Sequence, residues 1–514
     1  MEELPSSIGC YENLTILILS DCLSLKNLPD LSRNIEILDL CGVAIEELPS
    51  SIGCLHHLRQ INLNRCIRLK SLPANICKLR SLRQLDISDC SRLKHFSETL
   101  SAEGKRADEE LASGKIFGLR ALFLGGCIEL EYVPYNWFCD LSSLEILLLD
   151  GCWKFEHFQT RLLCLHSLTQ LHLRCCNVLE IPDWLGLLSS LTELHLGGNP
   201  FGSIPSTIKQ LRQLTTLELR NCINLGSLPE LPFSMRFLNA SGCTSLETLS
   251  NSWDARALWN QMQADVHKFL FCNCLKLNQS ARDNFSDILC AVALMQGYAE
   301  VIVFCPGNNI SNWFNYQSEG SSISFKLPSN KWPLSNNFLG FAICFVVASE
   351  AIYSDPYQCL TVECDLHFKT IHGQILEELD NFLGWNFTTV DFVDDVGSKI
   401  VSSDHVFISF NRYQADEASN KKMFGSYFDG IEASFRFQAF IDGLENDHMD
   451  FEIKRCGVRM LYSEESNQEL SVTTDEYGLD TIDHSRPNNG GTSTSHASID
   501  FDVHQPNPKR SRIF

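Results

Sequence analysis

Long apolar runs are missing from this 514-residue chain. No stretch approaches the eighteen or so apolar residues that a membrane helix needs, and the nearest, residues 338–348, reads as a buried strand. Basic residues are scarce: 41 Lys and Arg stand against 63 Asp and Glu, giving a net charge of −22. That balance argues against nucleic acid as a partner, because phosphate binding needs clustered cations. No G-x-x-x-x-G-K-S/T loop occurs to cradle phosphates, so a bound nucleotide is not expected. No C-x-x-C pair occurs either, and Cys272-Asn273-Cys274 has the wrong spacing for a zinc knuckle, so no metal ligand is assigned. Gly320-Ser321-Ser322 is not a nucleophile elbow, and His56-His57 lacks acidic neighbours; no catalytic residue and no cofactor are expected. Met1-Glu2-Glu3-Leu4-Pro5 has neither a basic start nor an apolar signal core.

What is present is periodicity. Residues 2–10 and 46–54 are the same nine residues, Glu-Glu-Leu-Pro-Ser-Ser-Ile-Gly-Cys. With that block as a ruler, ten copies of L-x-x-L-x-L-x-x-C/N-x-(x)-L appear, beginning at Leu14, Ile35, Leu58, Leu82, Leu119, Leu144, Leu168, Leu191, Leu214 and Met235, with spacings of 21, 23, 24, 37, 25, 24, 23, 23 and 21. A period in the twenties on this skeleton predicts an α/β leucine-rich-repeat solenoid, each unit giving one short strand to a parallel concave sheet. Alternation in the third copy points Ile61 and Leu63 into the core and Gln60, Asn62 and Asn64 onto the concave surface. The 37-residue spacing exposes an insertion, and the polar residues 101–110 read as a solvated loop. Seven copies carry an apolar-Pro pair, such as Leu48-Pro49 and Val133-Pro134, which suits the irregular convex side. Residues 2–13 match the rear half of a repeat whose strand is absent, so the chain is expected to be the C-terminal part of a longer protein.

Of the 23 cysteines, Cys22, Cys66, Cys90, Cys127, Cys152, Cys176, Cys222 and Cys243 fall at the repeat's ladder position, where Asn199 stands in the eighth copy. Small interior side chains packing inside successive turns predict free thiols and a reducing compartment rather than disulfides.

After Leu249 the period ends. Residues 251–299 contain helix-compatible runs and read as a helical cap. From Glu300 short strands follow; the clearest, residues 362–369, alternates apolar and polar side chains, and 322–327, 405–410, 433–439 and 451–462 are similar. Such strands with Gly, Asn and Asp between them predict an antiparallel β-sandwich over 300–462. Residues 463–514 are poor in large apolar groups and read as an acidic, disordered tail. Lys509-Arg510-Ser511-Arg512, with three basic residues, is a weak match to a nuclear import signal.

Two features together resemble one family. The Leu-Pro-Ser-Ser-Ile-Gly blocks with Cys ladders resemble plant TIR-type nucleotide-binding leucine-rich-repeat disease resistance proteins. The stretches 271–277 (Phe-Cys-Asn-Cys-Leu-Lys-Leu), 306–322 (from Pro306-Gly307-Asn308-Asn309 through Trp313-Phe314-Asn315-Tyr316), 337–342 and 456–462 resemble the C-terminal jelly-roll/Ig-like domain (C-JID) of those receptors. The resemblance implies a recognition module in plant defence, cytoplasmic with a nuclear alternative, that binds a pathogen effector or a guarded host protein. A signalling-incompetent decoy is the alternative. The TIR and nucleotide-binding modules of such receptors have no counterpart in these residues, and oligomerisation is expected only in a full-length receptor.

The expected contact surface is the concave column Ile18, Asp39, Asn62, Asp86, Phe123, Leu148, His172, His195, Glu218, Asn239. Phe123 and Leu148, beside Ala121 and Ile146, should be exposed there next to His172 and His195. Arg174, Glu193, Glu218 and Arg220 form the rim, and an apolar patch in a polar rim has the composition of a protein-binding site. A second part of the same receptor covering the patch is the alternative. In the sandwich, Trp313, Phe314 and Tyr316 are candidates either for partner anchors or for core packing.

Overall fold

A computed structural model describes residues 2–96, 118–131, 141–154, 162–250, 265–282, 285, 299–327, 338–348, 359–369, 385–391, 403–412, 432–442 and 448–462. The insertion at 101–110, the Val133-Pro134 pair, much of 251–299 and all of 463–514, with its basic cluster, lie outside these residues.

Ten three-residue strands, from Ile16–Ile18 and Ile37–Asp39 to Thr216–Glu218 and Phe237–Asn239, pair in parallel with one partner strand per coil. The middle residues of the second to tenth strands stack in register: Leu38, Ile61, Leu85, Leu122, Leu147, Leu171, Leu194, Leu217 and Leu238. All of these are buried. A fully buried Leu contributes roughly 1.5–3 kcal/mol, and each coil supplies the wall its neighbour lacks.

The ladder cysteines tie one coil to the next. The thiols of Cys66, Cys90, Cys127, Cys152, Cys176, Cys222 and Cys243 each donate to a backbone carbonyl of the preceding coil, at 3.1 to 3.4 Å. Asn199 does more from the same position. Its amide nitrogen donates to Leu173 O and Leu196 O, both at 2.7 Å, and its oxygen accepts from the backbone N–H groups of Cys176 and Val178, both at 3.0 Å.

On the convex side, Pro5, Pro49, Pro73, Pro182 and Pro205 each precede a five-residue 3-10 helix, with φ between −64° and −76°. Proline fits because its fixed φ starts the turn and its carbonyl accepts the first helical bond. The two copies with a 21-residue spacing, after Leu14 and Leu214, have no helix there, which accounts for their missing residues. The glycine of the Ser-Ser-Ile-Gly block also has a cause. A Cβ on Gly53 would stand 2.8 Å from Asn75 O of the next coil, and one on Gly186 2.5 Å from Thr207 O, so only glycine permits this coil spacing.

The solenoid runs further than its period. Asp265–Leu270, inside the segment expected to be a helical cap, is a strand paired in parallel with Phe237–Asn239, and Cys274 repeats the ladder bond to Ala240 O at 3.1 Å. Helix within the described part of that segment includes residues 279–282, where Asn278 Oδ1 accepts from Ala281 N–H. Ala299–Pro306 then pairs in parallel with Asp265–Leu270 on one side and antiparallel with His405–Arg412 on the other. Phe338–Val347, Ile453–Tyr462 and Tyr316–Glu319 follow antiparallel, so that sixteen described strands form one sheet. A second antiparallel sheet holds Ser322–Lys326, Glu432–Asp442, Cys359–Lys369 and Trp385–Asp391. The two share one apolar core, with Phe341 against Phe435 at 5.3 Å and Phe345 against Phe437 at 5.4 Å between ring centroids.

The junction is pinned by a buried imidazole. Asn273, in the left-handed conformation at φ 59°, donates its N–H to His405 Nε2 at 2.9 Å, while His405 Nδ1–H donates to Ser403 O at 2.7 Å. Both ring nitrogens are engaged, which fixes a neutral tautomer; burial lowers the His405 pKa from 6.5 to about 4.

Candidate functional site

The concave column is in register as the alternation requires: Asp86 pairs with Phe123, then Leu148, His172, His195, Glu218 and Asn239 in turn. Its exposure differs from expectation. Phe123, Leu148, Ile146 and Ala121 are half-buried rather than open, because in a parallel sheet with strands 4.7–4.9 Å apart each large side chain leans on those beside it. Ile16 and Ile18 are the exception at 52% and 65% exposed, since the Ile16–Ile18 strand has a partner on one side only among the described residues.

Toward its C-terminal end the concave surface closes. Glu218 is 5% exposed and Asn239 1%, and Phe237, on the same strand as Asn239, packs against the core of the C-terminal sheets. Glu218 is therefore not a rim residue as expected. Its carboxylate accepts from Arg220 N–H at 3.0 Å, and burial raises its pKa against the pull of Arg220. Arg220 Nε is 3.9 Å from Glu218 Oε1.

The half-buried portion includes the seventh and eighth coils. The rings of His172 and His195 lie 3.9 Å apart between centroids, tilted by 31°. Arg174 Nη2 is 2.7 Å from His195 Nδ1; a guanidinium only donates, so the neutral ring carries its proton on Nε2. Burial, then His172 and Arg174, lower the His195 pKa to about 3. His172 Nδ1 is 3.7 Å from Asp150 Oδ2, and Gln170 donates to Glu193 at 3.1 Å. His172, Glu193 and His195 were not expected to act as ligands, yet one nitrogen or oxygen of each lies within 4.8 Å of the others. The column order was readable in the sequence; the ring stacking and the Arg174 contact depend on rotamers and were not.

Of the three sandwich candidates, Phe314 is 2% exposed and belongs to the core. Tyr316 stacks on Phe325 at 3.8 Å, against the core of the two C-terminal sheets, so both fit the core-packing alternative. Half-buried Trp313 lies under the Arg459 guanidinium at 4.7 Å, and Arg459 donates to Trp313 O at 2.8 Å. A feature passed over in the sequence is an exposed apolar side chain just after the ladder cysteine: Leu23, Ile67, Ile128, Trp153, Ile223 and Leu275. The signal was the repeated Cys-apolar pair at one phase of the period.

The described cysteines are free thiols. Burial raises the pKa of Cys66, Cys127, Cys176 and Cys274 to about 12, which suits packing rather than nucleophilic chemistry. Among the described residues no helix is long and apolar enough to cross a membrane.

Residues 305–467 match the C-JID domain, and residues 190–211 match the Leucine Rich Repeat. The chain is 29% identical over 393 residues to the disease resistance-like protein DSC1 of Arabidopsis thaliana, covering 69% of this chain and 31% of that protein. It is 31% identical over 318 residues to the disease resistance protein RPP2B of Arabidopsis thaliana, covering 58% and 25%. It is 30% identical over 391 residues to the TMV resistance protein N of Nicotiana glutinosa, covering 67% and 32%. In each case the match spans about a third or less of the relative's length.

Proposed function

From the premise that this chain corresponds to the leucine-rich-repeat and C-JID part of plant disease resistance proteins, we propose that it is the recognition module of an intracellular immune receptor, binding a pathogen effector or a guarded host protein. The observation that carries this reading is the half-buried stretch of the concave face, where Phe123, Ile146 and Leu148 adjoin His172, Arg174, Glu193 and His195. A half-buried apolar centre beside paired charges is what a protein interface uses, with the apolar groups supplying desolvation and the charges orientation. The interface reading does not extend to Glu218, which is buried beneath the covered end.

Residues 300–462 are read as the jelly-roll/Ig-like sandwich of the C-JID, supported by the two antiparallel sheets with a common aromatic core. The division into repeats, connector, sandwich and tail belongs to the same proposal, with Asp265–Leu270 of the connector adding one more strand to the solenoid sheet. The chain is read as a binding protein rather than an enzyme, because the thiols of Cys66, Cys127, Cys176 and Cys274 are raised by burial and make poor nucleophiles, and His405 is held by hydrogen bonds on both ring nitrogens. Direct binding of the full chain to candidate effectors, with Phe123→Ala and Leu148→Ala beside wild type, tests the proposal. Loss of binding without loss of fold supports it, and unchanged binding in both variants removes the concave site.

A further inference from the structure

Two imidazole nitrogens on the concave face make no hydrogen bond among the described residues. The Nε2 atoms of His172 and His195 are both buried, and their rings stack at 3.9 Å. Glu193 lies two residues before His195 and so on the same face of the Glu193–His195 strand, with Oε2 3.8 Å from His195 Nε2. A ligand atom from each of the three residues falls within 4.8 Å of the other two. Parallel pairing fixes the backbones that bring them together, since His172 is directly opposite His195.

We propose that His172, Glu193 and His195 form a binding site for a divalent transition-metal ion of the zinc type, with its remaining coordination open to the concave surface. Two imidazoles and one carboxylate are donors this class of ion accepts, at about 2.0–2.2 Å for zinc, so side-chain rotation closes the observed separations without moving the strands. Asp150 Oδ2, 3.7 Å from His172 Nδ1, stands where an outer carboxylate orients a ligating imidazole. Asp150 and Glu193 also offset the charge brought by the ion. The open position accepts water or a side chain from whatever occupies the concave face, and the site stands whether or not that occupant is a protein partner.

Arg174 gates the site. By donating to His195 Nδ1 it holds the ring proton on Nε2, the atom that must bond the metal. Binding requires that proton to move through solvent to Nδ1, and the guanidinium, which cannot accept it, to turn away. Removing the guanidinium is thus expected to tighten the site, whereas removing any of the three ligands abolishes or weakens it.

The test uses the full chain, stripped with a chelator under reducing conditions and titrated with cobalt(II). Thiolate complexes of this ion absorb intensely in the near ultraviolet, and imidazole–carboxylate complexes do not, so the free cysteines are distinguished from the proposed site. Expected is one equivalent bound with visible ligand-field bands and no thiolate absorption, displaced by zinc. His172→Ala is expected to lose it, Glu193→Gln to weaken it by about 10–100-fold, and Arg174→Ala to tighten it. Circular dichroism and the denaturation midpoint check that each variant is folded, and the near-isosteric Glu193→Gln keeps the test decisive if His172→Ala is not. No binding by folded wild type, thiolate absorption alone, or unchanged affinity in folded Glu193→Gln would overturn the proposal, and unchanged or weaker binding in Arg174→Ala would overturn the gate.

Discussion

Replacing Asn199 by alanine removes four hydrogen bonds from one buried position. Two carbonyls, of Leu173 and Leu196, lose a donor, though Leu196 O keeps the Cys222 thiol at 3.4 Å, and two backbone N–H groups, of Cys176 and Val178, lose their acceptor. A buried backbone group left without a partner costs about 1–3 kcal/mol. Because the four share one side chain their losses do not add fully, and the total is expected to be on the order of 3–5 kcal/mol. Cys127→Ala, at the equivalent place in its coil, removes a single thiol bond to Ile87 O at 3.1 Å and is expected to cost about 1 kcal/mol. Denaturant unfolding of both variants reads the difference, with an unchanged slope as the check that the transition is comparable. Amide hydrogen exchange localises it, since the Cys176 and Val178 amides should lose protection in Asn199→Ala alone. Equal midpoints for the two variants, or unchanged protection at those amides, would refute the view that the ladder side chain holds the coils in place.

Gly186→Ala is expected to cost about 1–3 kcal/mol by forcing the added methyl against Thr207 O, measurable as a lower denaturation midpoint. Because the His405 pKa is about 4 in the fold and near 6.5 when unfolded, its contribution is intact above pH 6.5 and is lost as pH falls from there to about 4. Up to about 3 kcal/mol is at stake, read as a steeper loss of stability with acid in wild type than in His405→Gln. Alkylation of freshly purified, denatured protein followed by mass measurement is expected to find all 23 cysteines reduced; a fixed deficit of pairs would contradict the reducing-compartment reading.

The solenoid was legible because its forces are local. A buried residue every second position and a small turn residue every coil leave a mark in sequence, and Leu122, Leu147, Cys127 and Cys152 are buried as that mark requires. The eleventh coil was not legible. Phe269 and Phe271 replace the usual leucines, and the strand arrives later than the period, so the same ladder bond at Cys274 was hidden in a segment that suited a helix. Burial of Glu218 and Asn239 escaped as well; Phe237, on the same strand as Asn239, packs against a core whose other members lie farther along the chain. The contact between Asn273 and His405 is separated by 132 residues and has no periodic trace. For the candidate site, alternation gave which residues share the concave face, whereas half-burial of Phe123 and the stacked histidines required neighbours from adjacent coils.

Affinity for an effector or host protein found by direct screening, compared between wild type and the Phe123→Ala/Leu148→Ala double variant, tests the recognition surface most directly. Leu149→Ala, which truncates a fully buried neighbour and is expected to cost about 2–5 kcal/mol, serves as the control for loss of fold. The double variant is predicted to bind at least about ten-fold more weakly while its denaturation midpoint stays far closer to wild type than that of Leu149→Ala. Undiminished binding by the double variant would contradict recognition through the concave face.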